Sequence, residues 1–336
     1  MTLERIVGGA CDPPFPVYAH LADDLVAAHH ANDGERDATV AHVLATCAAY
    51  AYSDADTVAM MMTRLGLEAN ACVRITQTVD AMFIFSTAYL IQSRCGRVVI
   101  LCYRGTEPAT LGNWLGDAEV GAESSTLSLD DGAQMIEVHG GFHRNVRATW
   151  STVLGELTLA LQGRSLANPD ERVESPLQAL YVTGHSLGGA MAVLFALKLV
   201  GAREHGALAA KLRAVYTFGQ PMAVGGALPR VADDLGRRLF RHITSRDLTP
   251  ALPPAAWGAF THFGKEYRHT NGEWQRSEVP VAQLIRTREL PRSLLAFFAT
   301  NRGRPSYPYS IADHGPHHYL SALRPRGRVT EFGDRH

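Results

Sequence analysis

The spacing of apolar positions predicts helices near the start of the chain and paired strands after them. Residues 37–66 are alanine-rich with apolar positions at helical spacing, which predicts one or two helices. Two runs rich in β-branched and aromatic residues follow, and the Cys95-Gly96 pair between them indicates that AMFIFSTAYLIQS and RVVILCYR form adjacent strands. The polar, Gly- and Ser-rich stretch 119–134 is typical of a loop.

Beyond this stretch the apolar positions alternate between the spacing of strands and the spacing of helices. A short strand at Ile136–His139 precedes a long helical pattern from Phe142 to about Leu161. Strands and helices then follow in turn, as LQALYVTG, AMAVLFALKLV, LRAVYTF, ALPRVADDLG and RLFRHIT. Strand–helix alternation with nearly continuous apolar strands indicates an α/β fold with a mostly parallel sheet, covered by helices on both faces.

The last quarter of the chain is less regular. Residues 255–310 combine prolines, glycines and scattered aromatics, which favours loops with a hairpin among them. A final helix is expected to begin near His314 and to carry Tyr319, Leu320 and Leu323, and the polar tail at 325–336 is expected to be mobile. Since no repeat, linker or low-complexity block divides the chain, we expect one domain over residues 1–336.

Composition narrows the functional classes. With 46% hydrophobic and 19% charged residues, the 336-residue chain has the balance of a globular enzyme with a large core. A net charge of -1 gives no reason to expect nucleic-acid binding. No apolar run approaches the roughly 18–20 residues of a membrane-spanning helix, so no transmembrane segment is expected.

The first residues and the cysteines indicate the cellular compartment of the protein. The first residues, MTLERIVGGACDPPFP, lack the basic and then apolar regions of a Sec signal peptide. Five cysteines, an odd number without CxxC spacing, are typical of buried thiols in a reducing compartment. We therefore expect a cytoplasmic protein, with secretion by another route or a trimmed signal as the alternative.

The strongest chemical signal is the Gly184-His185-Ser186-Leu187-Gly188 turn, which fits the GxSxG pattern. A predicted strand ends directly before it and a helical run begins after it, as a nucleophile elbow requires. The following helix also directs N–H groups at the reacting centre. A near copy around Ser165 follows a helix and leads into a loop, so it lacks this context. Ser186 is the predicted nucleophile, and a helix-capping serine is the alternative.

A serine nucleophile needs two donors for the oxyanion that forms on the substrate. The backbone N–H of Leu187 supplies one. The strand RVVILCYR ends in Arg104-Gly105-Thr106, where glycine permits close approach and Thr106 offers an N–H and a hydroxyl. A plain strand-ending turn is the alternative there.

A short helix with one apolar side is predicted directly after this loop. Leu111, Trp114, Leu115 and Ala118 fall at i, i+3, i+4 and i+7. Such a helix either faces the core or forms a mobile lid over an acyl site.

The acid and the base should follow the serine in the order Ser, Asp or Glu, His. Asp247 lies in the loop after RLFRHIT, whereas Asp233 and Asp234 lie on a helical pattern whose solvated side explains them. His314 precedes Gly-Pro and lies on a loop, as a triad histidine should. His317, the alternative base, and His318 are expected in the first turn of the closing helix.

Metal chemistry is not expected. His262 and His269 do not match a standard zinc spacing, and we interpret them as surface histidines. We predict neither a metal nor a cofactor.

Several motifs in order resemble the class 3 lipase family: the fungal-type triacylglycerol lipases and their bacterial and plant relatives, which include phospholipases A1 and feruloyl esterases. They are Arg104-Gly105-Thr106, Asn113-Trp114-Leu115-Gly116-Asp117, Val138-His139-Gly140-Gly141-Phe142, GHSLGGA, and Phe218-Gly219-Gln220-Pro221 with Val224-Gly225. The resemblance runs from about residue 37 to 325. It implies an α/β-hydrolase fold with a helical lid near 107–118 and an oxyanion hole of Thr106 and Leu187.

Together these features predict a carboxylic ester hydrolase with a triad of Ser186, Asp247 and His314. The resemblance implies a lipase that cleaves acylglycerols or similar apolar esters through an acyl-enzyme, with Leu111, Trp114 and Leu115 at the substrate or lid. A phospholipase A1 or an aryl, feruloyl-type esterase is the alternative enzyme, and a lipid-binding hydrolase-fold protein is the alternative without catalysis. The expected partners are the ester substrate and a transient lipid interface.

Overall fold

The computed structural model describes residues 1–11, 15–28, 34–106, 124–129, 132, 134–226, 228, 230–284 and 312–334. The α-helices are α1 (Leu21–Ala27), α2 (Ala38–Tyr50), α3 (Ala55–Leu65), α4 (Gly140–Leu161), α5 (Leu187–Gly201), α6 (Gly206–Ala209), α7 (Arg230–Gly236) and α8 (Pro316–Leu323). The strands are β1 (Thr2–Val7), β2 (Ala71–Val79), β3 (Ile84–Gln92), β4 (Val98–Tyr103), β5 (Ser124–Leu129), β6 (Gln134–His139), β7 (Ala179–His185), β8 (Leu212–Phe218), β9 (Val224–Gly225), β10 (Leu239–Thr244), β11 (Phe260–Thr261), β12 (Lys265–Thr270) and β13 (Glu273–Ser277). The predicted lid near 107–118 lies outside the described residues.

A nine-stranded sheet organises the fold, in the order β1-β2-β3-β4-β7-β8-β10-β12-β13. The five strands from β4 to β12 pair in parallel, and antiparallel strands flank them on both sides. Every residue of β4, β7 and β10 is buried, as expected for parallel strands covered on both faces. The predicted α/β-hydrolase fold is confirmed, with the parallel pairing in the centre of the sheet.

Alternate residues of each strand enter two separate apolar cores. In β4, Val99, Leu101 and Tyr103 join the core that α4 and α5 cover. Val98, Ile100 and Cys102 join the core on the opposite face, which α1, α2, α3 and α8 cover. Cys47, Cys72 and Cys102 are buried thiols, as predicted, whereas Cys11 and Cys95 are half-buried.

The predictions for the second half are confirmed for the long helix, the strand–helix alternation and the hairpin, which is β12–β13. The expected loop at 119–134 is wrong in part, because residues 124–129 form β5, which pairs with β6 in a separate four-stranded sheet. Polar serines on the exposed side of β5 concealed its alternation of apolar and polar residues. Within this strand only Leu127 and Leu129 are buried.

Both ends of the chain pack more closely than the sequence indicated. Strand β1 and helix α1 were not predicted, and β1 extends the sheet by pairing with residues 71–76 of β2. In the tail, Thr330 and Glu331 are buried and Arg324 donates to Glu331 at 2.6 Å, so this described part of the tail is anchored rather than detached.

The carboxyl ends of the parallel strands meet at one edge of the sheet, which we call the carboxyl edge. Chain segments leave this edge after Tyr103, His185, Phe218 and Thr244. In open α/β sheets, ligands bind outside the carboxyl ends of the strands, so this edge is where a site is expected.

Candidate active site

Ser186 occupies a strained turn between β7 and α5. Its φ of 57° and ψ of −131° are rare for a residue with a side chain. A Cβ on Gly184 would lie 2.3 Å from the carbonyl carbon of Gly188, and one on Gly188 would lie 2.2 Å from the carbonyl oxygen of Tyr103. Only glycine therefore fits on either side of this nucleophile elbow.

His314 joins the serine to a carboxylate. Its Nε2 lies 2.9 Å from Ser186 Oγ, and its Nδ1 lies 2.8 Å from Asp247 Oδ2. All three side chains are buried. The structure thus brings together the three residues that the sequence predicted as nucleophile, acid and base, in the arrangement of a Ser-His-Asp triad.

Asp247 is held in its ionised form by several donors. The backbone N–H of Thr249 donates to Oδ1 at 2.8 Å, and the Tyr319 hydroxyl donates to Oδ2 at 2.6 Å. Burial alone would raise the pKa of Asp247, but the charge and hydrogen bond of His314, with these donors, hold the pKa below its ordinary value. A carboxylate charge is therefore available to the histidine.

Tyr319 also fixes the segment that carries the acid. Its hydroxyl oxygen accepts from the backbone N–H of Thr244 at 3.2 Å, and the Thr244 hydroxyl donates to the carbonyl oxygen of Asp313 at 2.6 Å. Burial, and then the negative charge of Asp247, raise the pKa of Tyr319 well above its ordinary value, so the hydroxyl stays protonated and can donate. Sequence reasoning placed Tyr319 only as an apolar residue of the closing helix.

His185 contacts the backbone of the triad histidine, His314. Its Nε2 lies 2.7 Å from the carbonyl oxygen of His314, and its Nδ1 lies 2.8 Å from the Tyr52 hydroxyl. Burial, and then the neighbouring His314, lower the pKa of His185 to about 3, so the ring is neutral. Since a carbonyl can only accept, Nε2 carries the proton and Nδ1 accepts from Tyr52.

The backbone at Gly219 passes against the triad. Its φ is 59°, and a Cβ there would lie 2.7 Å from Asp247 Oδ2 and 2.9 Å from His314 Nδ1. This glycine belongs to the Phe218–Pro221 motif that carried the family resemblance, but its contact with the triad was not predicted. A motif glycine after a buried strand was the signal that could have indicated it.

Comparison with known proteins agrees with this geometry. Residues 100–257 match the sequence model of a family described as lipase (class 3). This central region of the chain is therefore similar to the class 3 lipase family. That matched region contains the Arg104–Thr106 loop, Ser186 and Asp247, whereas His314 lies beyond it.

Two relatives are 28% and 30% identical to this chain over the regions that align. The lipase of Rhizomucor miehei is 28% identical over 230 residues, which cover 68% of this chain and 57% of that protein. The triacylglycerol lipase OBL1 of Ricinus communis is 30% identical over 218 residues, which cover 55% of this chain and 40% of that protein. The chain therefore spans about half the length of the curated relatives it matches.

Solved structures have the same fold as this chain. Lipase II from Rhizopus niveus superposes with a TM-score of 0.54 at 22% identity, covering 82% of this chain and 92% of that one. This likeness supports the α/β-hydrolase fold described above.

The two predicted oxyanion donors lie beside the serine. Leu187 is the first residue of α5, so its backbone N–H has no hydrogen-bond acceptor within that helix. A Cβ on Gly105 would lie 2.5 Å from the His185 carbonyl oxygen and 3.2 Å from Ser186 Cβ. The loop leading to Thr106, which is half-buried, therefore touches the nucleophile turn. The lid residues Leu111, Trp114 and Leu115 lie outside the described residues.

The carboxylates and histidines considered as alternatives to Asp247 and His314 lie outside the triad. Asp233 and Asp234 are exposed on α7, and His317 and His318 are exposed in the first turn of α8, as predicted. The interpretation of His262 as a surface residue is wrong. Its side chain is buried and its Nε2 lies 2.8 Å from the Pro250 carbonyl oxygen, because the loop after β10 folds over it.

The described residues form neither a metal-ligand cluster nor a membrane-spanning helix. Within the described ranges, no three His, Cys, Asp or Glu side chains are grouped so as to hold a metal ion. Among the described helices, none has the length and apolarity to cross a bilayer.

Proposed function

We propose that this chain is a carboxylic ester hydrolase that cleaves apolar esters such as acylglycerols, with Ser186 as nucleophile, His314 as general base and Asp247 as its partner. The observation that carries the proposal is the continuous chain of hydrogen bonds from Ser186 Oγ through the His314 ring to Asp247 Oδ2, at 2.9 and 2.8 Å. It lies at the carboxyl edge of the sheet, at the end of a nucleophile elbow.

The first half-reaction forms an acyl-enzyme. His314 Nε2 accepts the proton of Ser186 as Oγ attacks the ester carbonyl carbon, and the carbonyl electron pair moves to its oxygen. Asp247 stabilises the resulting imidazolium and holds its tautomer. When the tetrahedral intermediate collapses, the C–O bond to the alcohol breaks, and His314 protonates the leaving alcohol oxygen.

The second half-reaction releases the acid. A water molecule donates its proton to His314 Nε2 while its oxygen attacks the acyl carbon. Collapse of this second intermediate breaks the bond to Ser186 Oγ, which regains the proton. Both halves use only protein groups and water.

The developing oxyanion is stabilised by the backbone N–H of Leu187 together with a donor of Thr106. The N-terminal end of α5 adds the favourable end of its dipole at the same point. Loss of one such donor reduces turnover by roughly 100- to 1,000-fold in enzymes of this kind.

The neutral His185 ring lies beside His314. The two ring centroids lie 4.6 Å apart, a distance at which two positive rings would repel. Because the pKa of His185 is lowered to about 3, this ring is uncharged at neutral pH. The imidazolium of His314 therefore forms without a like charge beside it.

The substrate class rests on the family. The Ricinus relative is named a triacylglycerol lipase, and acylglycerols are esters of the kind this triad would cleave. The test is hydrolysis of p-nitrophenyl esters of graded acyl length, and of emulsified tributyrin and triolein, by the wild-type chain and by Ser186→Ala. Asp233→Ala is the matched control because it removes a carboxylate exposed on α7.

The expected result is ester hydrolysis that Ser186→Ala abolishes and Asp233→Ala retains. Preferential cleavage of phospholipid acyl chains, or of feruloyl esters, would keep the triad and replace the acylglycerol substrate. Absence of hydrolysis on every ester, or full activity in Ser186→Ala, would overturn the proposal and leave lipid binding without catalysis.

A further inference from the structure

The turn between β2 and β3 projects from the carboxyl edge of the sheet. We call residues 80–85 the hairpin tip. Ala88 of β3 pairs with Tyr103, the last residue of β4, and Tyr103 pairs with Gly184 of β7. Phe85 is three residues beyond Ala88, which at about 3.3 Å per residue extends about 10 Å past the end of β4. The hairpin tip therefore reaches at least the level of Ser186.

The lateral separation is also small. Strand β3 is two strands from β7 in the sheet order, which corresponds to about 10 Å. The hairpin tip and the nucleophile thus lie on the same edge of the molecule, side by side.

Three large apolar side chains are exposed on the hairpin tip. Met82 is 55% exposed, Phe83 49% and Phe85 50%. Single exposed apolar residues are ordinary, but three within four positions on a projecting turn indicate an interaction surface.

The backbone at Phe83 adds a second observation. Its φ of 50° lies in the left-handed region, where glycine and asparagine are the ordinary residues and a bulky aromatic is strained. A phenylalanine at this point has a conformational cost, although about half of the residue faces solvent. Such an outlier points to a role for the side chain outside the folded core.

Several backbone polar groups of the hairpin tip have partners within the protein. The first turns of α4 supply most of them: Arg144 donates to the Met82 carbonyl at 2.8 Å, and the Asn145 amide accepts from the Phe85 N–H at 2.8 Å and donates to the Phe83 carbonyl at 3.3 Å. The Phe83 N–H donates to the Asp80 carbonyl at 3.0 Å. These groups can therefore enter an apolar medium without losing hydrogen bonds to water.

We propose that the hairpin tip inserts Met82, Phe83 and Phe85 into the surface of a neutral or zwitterionic lipid phase, and so holds the carboxyl edge against that surface. The inference rests on the proposed function, which supplies an apolar ester substrate at the same edge. The projecting, convex shape, with these internally bonded backbone groups, fits a fluid apolar phase, which needs no complementary pocket. The charged residues at this turn, the exposed Asp80 and Arg144, are of opposite sign, so together they favour neither an anionic nor a cationic surface.

The test uses the full chain with Ser186→Ala, so that lipid is not consumed, and sedimentation with dioleoylphosphatidylcholine vesicles. The variant is Phe83→Asn with Phe85→Thr, since asparagine tolerates the left-handed backbone and threonine suits a strand. Each phenylalanine removed is expected to weaken vesicle binding about tenfold, from its share of buried apolar area.

Phe332→Ser is the matched control. Phe332 is 58% exposed, and the preceding Glu331 carbonyl accepts from Arg64 at the end of α3. That end of α3 leads into Ala71, which pairs with Gln92 at the edge opposite the hairpin tip. This control should bind vesicles like the parent chain.

A second measurement separates this inference from the proposed function. In the active chain, the hairpin-tip variant should hydrolyse monomeric p-nitrophenyl butyrate at the wild-type kcat/KM, and its thermal midpoint should not fall. No binding of the parent chain to the vesicles, or equal binding by the hairpin-tip and Phe332→Ser variants, would overturn the inference and favour a protein partner for this surface. Failure to cleave the soluble ester in the wild-type chain would instead overturn the proposed function.

Discussion

The Tyr319 hydroxyl and the Nδ1 of His314 share one acceptor, the Oδ2 of Asp247, at 2.6 and 2.8 Å. The tyrosine comes from α8, only five positions after the histidine, so one short segment carries both partners of the carboxylate. Tyr319 therefore restrains the acid that orients the base, and α8 couples its own packing to the geometry of the triad.

Replacing Tyr319 by phenylalanine tests this restraint. Hydrogen bonds to charged groups contribute about 1.5–3 kcal/mol, so Tyr319→Phe should lower kcat on p-nitrophenyl butyrate roughly 10- to 100-fold with little change in KM. Tyr267→Phe is the control. The Tyr267 hydroxyl lies away from the triad and accepts a hydrogen bond from the backbone N–H of Arg36 at 3.1 Å. Equal loss of kcat in both variants would mean that the effect is structural only.

Gly219→Ala should displace the triad, because the new Cβ would lie 2.7 Å from Asp247 Oδ2. Gly226→Ala has a similar φ, 67°, but its Cβ would meet nothing within 4 Å. Both variants should lose about 1–2 kcal/mol of unfolding free energy from the left-handed backbone. A displacement of about 1 Å at a reacting centre can cost about 100-fold, so only Gly219→Ala should lose kcat by that order.

Denaturant unfolding and steady-state kinetics of the two glycine variants together check this prediction. Similar kcat values in both would show that the triad tolerates the Cβ by moving as a unit.

The strained backbone of Ser186 predicts that a substitution which relieves the strain raises stability while activity is lost. Ser186→Gly should abolish turnover and raise the free energy of unfolding by about 1 kcal/mol or more, because glycine adopts a φ of 57° without strain. Ser186→Ala should abolish turnover as well and gain nothing from the backbone. Urea unfolding of the two variants at pH 7 is the measurement, and equal stabilities would contradict the assigned strain.

Buried histidines predict a loss of stability in acid. Burial, with the charge of Arg324, lowers the pKa of His42 to about 4, and the pKa of His185 is about 3. Both lie below the unfolded value near 6.5, so the unfolded chain binds protons first as the pH falls. Their stabilising contribution is complete above about pH 6.5 and is lost progressively toward pH 3–4, by about 1 kcal/mol per pH unit for each group.

Urea unfolding at several pH values between 8 and 4 measures this slope. His42→Gln should reduce the slope between pH 6 and 4 by one proton, although it also loses the contact of Nδ1 with the Tyr18 hydroxyl at 2.9 Å. An unchanged slope in this variant would show that His42 is protonated in the folded chain.

Most of the architecture could be predicted from local pattern. The strands around the nucleophile are buried on both faces, so they form continuous apolar runs, and Leu212–Phe218 and Leu239–Thr244 could be recognised from these runs. Strand β5 could not, because its exposed serines resemble a loop and only pairing with β6 defines it. Strand β1 was missed for a similar reason, since an edge strand with one exposed side depends on its neighbour β2.

The elbow at Ser186 and the order of Ser186, Asp247 and His314 were determined by the sequence itself, because tight turns need glycines at set positions and chain order limits the choice of acid and base. The supporting contacts were decided by tertiary structure alone. Tyr52 reaches His185 across 133 positions and Tyr319 reaches Asp247 across 72, so nothing in the local sequence marks them as partners. Hydrogen bonds act over about 3 Å, and only the folded sheet with its helices brings such distant side chains within that distance.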